Sequence, residues 1–383
     1  MKKKIFVILW VTISLLCHTV CIAEENDIVK DTLNEGLGFD EYLSSMESYI
    51  QESGLEDIDI AGMAEDLVSD KGVDYQNLLV KVISFFSKEL LSTLKSAGSI
   101  FMILIIISLL SALDLENKGD ITKIAQFVCF ITIATITLVN FMEVMQMFKN
   151  VVSVLTTIMQ IVSPFLMSLL IATGAITTTG MIQPLLLFLA SFIGFLVNYV
   201  IFPLFTISVI FNIISTISEN TKFHKMSKFF NSAAIWIVGV CLTLFLGVLS
   251  MEGSISSSVD SLAVKTTQSA VSNFVPVVGK FFSDSFETVV GATKIIGKVG
   301  GNIGIIAIVL VSAVPILKIL SIVCVYKLLV ALAEPICHDE GMMKYLDHFA
   351  NLYKNLLGIL IGIVILFVIS SGITLNLVSM VIK

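Results

Sequence analysis

Six residues between Pro276 and Gly304 carry the spacing that chemistry on a helix would need. Lys280, Asp284, Glu287, Gly291, Lys294 and Lys298 follow one another at intervals of four, three, four, three and four, which places them along one face of a helix. Phe281, Phe282, Phe286, Val289, Val290 and Ile296 fall mostly elsewhere on the circumference. Opposite charges at such intervals pair weakly, by about 0.2 to 0.5 kcal/mol each when exposed. Two readings fit: an amphipathic helix lying on a bilayer, or a polar face pointing into a pore between subunits.

A second group is Ser163-Pro164-Phe165-Leu166, Thr173-Gly174-Ala175, Thr177-Thr178-Thr179-Gly180 and Gln183-Pro184. Pro164 and Pro184, with Gly174 and Gly180, surround a hydroxyl-rich turn. At membrane depth they free backbone groups that must be paired again, which is tolerated where the segment is buried in protein or lines a wet cavity. The plainer reading is an inter-helix loop with helix-breaking ends. The functional one is a re-entrant element at a translocation path. Gly297, Gly300, Gly301 and Gly304 form two overlapping small-xxx-small pairs, and Gly358 and Gly362 a third. Such pairs permit close helix approach.

Charges inside apolar runs are the remaining candidates. Glu143, Lys327 and Glu334 stand near enough to run ends to snorkel. Lys318, between Pro315 and Tyr326, is the best candidate for burial, and a buried membrane charge is a functional flag. Cys337, His338, Asp339 and His348 match no compact zinc spacing. No phosphate loop, nucleophile elbow or His-Glu-x-x-His helix is present, so neither an enzyme activity nor a cofactor is expected.

The elements that must position these residues follow from composition. The 383 residues are 56% hydrophobic and 14% charged, with a mean hydropathy of +0.97, against the roughly 25% charge of soluble domains. Long continuous apolar runs specify helices rather than a barrel. All 23 basic residues are lysines and the net charge is -7, so nucleic acid is not an expected partner. Residues 24–95 hold 17 acidic residues against five lysines, so the acidity belongs to one stretch. Cys129, Cys241 and Cys324 sit within apolar runs, and no disulfide framework follows.

Residues 1–23 read as a secretory signal: Lys2 to Lys4, an apolar run from Ile5 to Leu16, then Cys21 and Ala23 before the cut. An uncleaved anchor is the alternative. Residues 24–76 read as short extracytoplasmic helices, with Tyr42, Met46, Tyr49 and Ile50 at helical spacing, and 78–95 as an amphipathic interfacial helix. Beyond them, 96–383 form the membrane domain. Its candidate spans are 97–113, 124–148, 151–173, 184–216, 232–249, 303–326 and 356–378. The fold class is thus all-α, a polytopic helical membrane protein with about seven transmembrane helices, re-entrant or amphipathic helices, and a small helical extracytoplasmic N-terminal region. The fourth run, 33 residues long, is about 50 Å as a helix and must tilt, kink at Pro203 or break in two. Seven crossings would put the two ends of the membrane domain on opposite sides. The lysines are shared too evenly for the positive-inside rule to decide orientation.

The stretch from Ser163 to Phe188, the run Phe274-Val275-Pro276-Val277-Val278-Gly279-Lys280, Ser283-Asp284-Ser285, Glu287 to Gly291, and Pro315-Ile316-Leu317-Lys318-Ile319 together resemble the stage III sporulation protein AE family. The order of signal, acidic region and hydrophobic bundle is similar as well. The resemblance implies a role in endospore formation at the mother-cell membrane facing the forespore, within a multi-protein channel similar in some components to secretion systems. Partners would be other membrane proteins of that complex, the lipid bilayer and further copies of the chain. No catalytic residue and no cargo is implied. Two rivals remain open: a stand-alone secondary transporter with broken helices, and a structural anchor recruiting partners through its acidic region.

Overall fold

The computed structural model describes residues 39–52, 75–113, 120–172, 175–217, 221–274, 278–337 and 340–380. Side chains of 75–82, 250–296 and 298, and a few at helix ends, lie outside that description, as does the proposed signal. Every regular element among the described residues is helical: α1 (Phe39–Glu52), α2 (Tyr75–Leu113), α3 (Asp120–Ala172), α4 (Ile176–Leu196), α5 (Phe202–Ile217), α6 (Thr221–Phe274), α7 (Val278–Ala333) and α8 (Glu340–Met380). A π-helical turn, Val197–Ile201, joins α4 to α5.

Among the described residues, six stretches are long and apolar enough to cross a bilayer: Ile83–Leu109, Ile124–Ile171, Ile176–Ile217, Phe223–Leu249, Val299–Ala333 and Gly341–Leu377. The seven expected spans correspond to six such stretches among the described residues, because the second and third expected spans lie in one helix, α3, 53 residues long. The polar step at Lys149-Asn150 marks no loop. Lys149 places its ammonium 3.4 Å from the centre of the Phe202 ring, a cation–π contact, and Gln146 donates to Asn150 at 3.0 Å. With those groups accommodated and no glycine or proline between 140 and 163, nothing stops the helix. At 1.5 Å per residue α3 is about 80 Å long.

The fourth run does not break either. Proline at 203 cannot donate a backbone hydrogen bond. The turn before it widens, so that the Phe202 N–H reaches the Val197 carbonyl, five residues back, and the chain continues into α5.

Contacts fix the directions. Ala175 N–H bonds Leu170 O across the α3–α4 turn at 3.0 Å. Ser208 on α5 meets Ser227 on α6. Tyr326 on α7 packs edge-on to Tyr353 on α8. Ser108 near the end of α2 donates to Ile336 O just past α7. The crossings therefore alternate. The end of α2 and the stretch just past α7 lie at one end of the bundle, and α1 packs beside α3 and α7 at the other. The end of α8 lies at the α1 end, where Leu375 approaches Gly301 beside the Tyr42–Gly300 contact.

The last two helices are the most buried of the crossings. Tyr345, Phe349, Leu352, Tyr353, Leu356, Leu360, Ile363 and Phe367 on α8 are all fully buried, as expected of a helix apolar on every side. Phe188, Phe195, Tyr199, Trp236 and Leu244 are exposed around it on α4, the π turn and α6, where lipid is the natural solvent.

Candidate functional site: polar groups within the bundle

The charged row near the α6–α7 turn belongs to a helix. Since α7 is unbroken from Val278 to Ala333, Lys280, Asp284, Glu287, Gly291, Lys294 and Lys298 share one helix with the span that follows. A separate helix lying along the surface is thereby replaced by an extension of a crossing. Their side chains lie outside the described residues. In the same way, the expected interfacial helix 78–95 and the first span are a single helix, α2, so the proposed boundary after residue 95 falls within it.

The hydroxyl-rich segment is not an extended turn. Gly174 lies outside the described residues, but α4 begins at Ile176, so Thr177 to Gly180 are its first turn, eight residues earlier than the expected span. Thr179 donates its hydroxyl to Ala175 O at 2.9 Å, satisfying a carbonyl at the helix start. Pro164 and Pro184 are both exposed and inside helices.

The glycines after the charged row do mark close approach. A Cβ at Gly300 would strike the Phe165 ring, one at Gly301 would sit 2.6 Å from Leu375 Cδ1, and one at Gly304 would sit 2.8 Å from Tyr42 Oη. Here α1 docks. Tyr42, Met46 and Ile50 recur every four residues and are buried. Tyr42 stacks on Phe165 with centroids 4.3 Å apart and donates to Gly300 O at 2.8 Å. Burial pushes its phenol above the usual tyrosine value. Part of the acidic region is thus held by the bundle itself. Gly362 meets Leu242, whereas a Cβ on Gly358 would meet nothing within 4 Å.

Lys318 is less buried than its sequence setting implies. Its side chain is 45% exposed and faces Glu89 of α2, 22% exposed, at 3.8 Å. The charge finds an acidic partner on a neighbouring helix, in a long and partly exposed pair. Lys327 pairs with Asp347 at 2.6 Å.

A polar network that sequence reasoning passed over lies near the opposite end. His348 Nε2 is 2.8 Å from Ser227 Oγ and 3.2 Å from Ser208 Oγ. The two hydroxyls donate to each other's backbone: Ser208 Oγ to Ser227 O at 2.8 Å and Ser227 Oγ to Ser208 O at 2.7 Å. With both hydroxyl protons directed to those carbonyls, the serine oxygens keep lone pairs that an Nε2–H tautomer of His348 would meet. Asn212 Nδ2 donates to Tyr345 O at 3.3 Å, and Asn355 Nδ2 to Asn231 Oδ1 at 3.1 Å. Tyr345 Oη meets Thr137 Oγ1 at 2.6 Å. The network binds α3, α5, α6 and α8 by interhelical hydrogen bonds, worth about 0.6 kcal/mol each on average in a membrane. Its sequence signal is Ser208/Asn212 and Ser227/Asn231, two polar pairs four residues apart within apolar helices. No group of three or more metal-ligating side chains gathers among the described residues.

Comparison with known proteins places this arrangement. The model of the stage III sporulation protein AE family matches residues 58–377. The chain belongs to that family. Stage III sporulation protein AE of Bacillus subtilis (strain 168) is 26% identical over 275 residues, covering 72% of this chain and 69% of that protein. No solved structure matches. The match to the sporulation protein AE family spans all six crossings, the α1-end glycines, the Lys318–Glu89 pair and the histidine–serine network; α1 lies outside it.

Proposed function

We propose that the chain is an integral membrane component of a channel or secretion-like complex between mother cell and forespore, needed for endospore development and without catalytic activity of its own. The family match across residues 58–377 carries this reading. Six apolar crossings and polar groups set along them are what such a component needs. Its partners are other membrane proteins of the complex and further copies of itself, and its place is the mother-cell membrane facing the forespore. Segments 163–184 and 276–304 are the assembly or path-lining elements.

The test is deletion of the gene in the encoding organism, with heat-resistant spores counted and the chain followed as a fluorescent fusion. Arrest after engulfment, with fluorescence around the forespore, is expected. Normal spore counts would overturn the proposal. Exchange of Lys280, Asp284 and Glu287 for Ala, with protein level checked, is expected to lower spore counts without loss of the chain from the membrane.

A further inference from the structure

The exposed surface of α3 changes character halfway along its length. Before residue 143 it shows large apolar side chains, among them Phe127, Val128, Ile131, Val139 and Met142. From residue 143 to 170 no large apolar side chain is exposed. The outward positions are Glu143, Gln146, Asn150, Ser153, Gln160 and Ser168, with Pro164 among them and half-buried Thr157 filling the one gap. Steps of three and four residues keep them on one line of the helix. That line covers about 37 Å, more than the hydrocarbon thickness of about 30 Å.

Contacts fix which parts of the other helices it lies beside. Lys149 sits on Phe202, a Cβ on Gly194 would lie 3.9 Å from Thr156 Oγ1, and Phe188 and Phe192 pack on Phe245 at 6.1 and 5.4 Å. The polar line is therefore level with the parts of α4 and α6 that expose Phe188, Phe195, Trp236 and Leu244. Within one layer the molecule offers an apolar side that suits lipid and a polar line that does not.

The line's side chains bond locally: Gln146 to Asn150, Thr157 to Ser153 O, Ser168 to Phe165 O. Each keeps hydrogen-bonding capacity that hydrocarbon cannot serve. The backbone adds to it, because Pro164 lacks the N–H that would have served the Gln160 carbonyl. Polar side chains that join membrane helices do so by hydrogen bonds across the interface, worth about 0.6 kcal/mol each on average, and the three bonds just named stay within α3. A line as long as the bilayer is thick, ending in a carboxylate, has the character of a wetted wall.

We propose that this face of α3 contacts water within the bilayer, as one wall of a path for small hydrophilic solutes whose other walls come from further chains. The proposal rests on the channel reading above and deepens it.

The test uses the full chain, its native cysteines replaced by alanine, in sporulating cells. Gln146→Cys, Asn150→Cys, Ser153→Cys and Gln160→Cys are compared with Phe195→Cys and Leu244→Cys for reaction with a charged, membrane-impermeant methanethiosulfonate. The four should react at least about tenfold faster than the two controls, since the attacking species is the thiolate and needs water. Rates as slow as the controls would show a face sealed by protein or lipid, and equal fast rates at all six would show no lipid boundary; either overturns the proposal. Thr157→Cys and Ser168→Cys replace any variant that fails to reach normal membrane levels. Normal sporulation of a deletion strain would sink the channel reading and leave these rates to decide the wall separately.

Discussion

At single positions, space and hydrogen bonding set opposite outcomes for similar substitutions. Gly300→Ala places a methyl against the Phe165 ring on which Tyr42 stacks. Overpacking of that kind costs about 1 to 3 kcal/mol, more than the roughly 1 kcal/mol that alanine returns in helix propensity. Gly358→Ala meets open space and should gain up to about 1 kcal/mol. Unfolding midpoints in detergent should fall for the first and hold or rise for the second; the reverse order would contradict the packing. Ser227→Ala removes a donor to Ser208 O and the acceptor that His348 faces, and should cost about 1 to 3 kcal/mol by the same measurement. Close approach at Gly300, Gly301, Gly304 and Gly362 was legible in the spacing, because absence of a side chain is visible in a sequence, whereas the same spacing at Gly358 marks no contact. The serine network could not, since Ser208, Ser227 and His348 lie far apart in the chain and only tertiary packing unites them.

At the scale of elements, the decisive residue is Lys149. A sequence reader sees a lysine and an asparagine interrupting an apolar run and inserts a loop. The structure instead seats the ammonium on Phe202 and keeps α3 whole. Lys149→Pro should therefore cost about 3 kcal/mol or more and strip the chain from the membrane, as immunoblotting would show; a normal level would indicate the loop that seven crossings require. The α2–α7 ion pair predicts a small effect. Because Lys318 is 45% exposed and 3.8 Å from Glu89, Lys318→Ala should shift stability by at most about 1 kcal/mol, and Lys318→Glu should be the worse variant, recovered by Glu89→Lys. No recovery would mean that the two charges act apart. Helix type throughout was legible from the apolar runs. Helix ends were not: the hydroxyls of Thr177 to Gly180 read as a turn, yet they open α4.

For the whole molecule, the helical membrane class followed from composition alone, since a chain this apolar has little else available. The number of crossings did not follow, because it hinged on one accommodated charge. Losing one crossing moves the end of α8 to the side of α1 and reorders every loop after α3. The C-terminal ends of α2, α5 and α7 lie toward one end of the bundle, with the histidine–serine network nearby. The most direct test of the six crossings is the labelling of Asn117→Cys, Lys225→Cys and Lys344→Cys, one at a time in a chain without other cysteines, by an impermeant maleimide added to intact cells and then to opened ones. Six crossings predict that all three behave alike. Asn117→Cys labelled from one side, with Lys225→Cys and Lys344→Cys labelled from the other, would contradict the account.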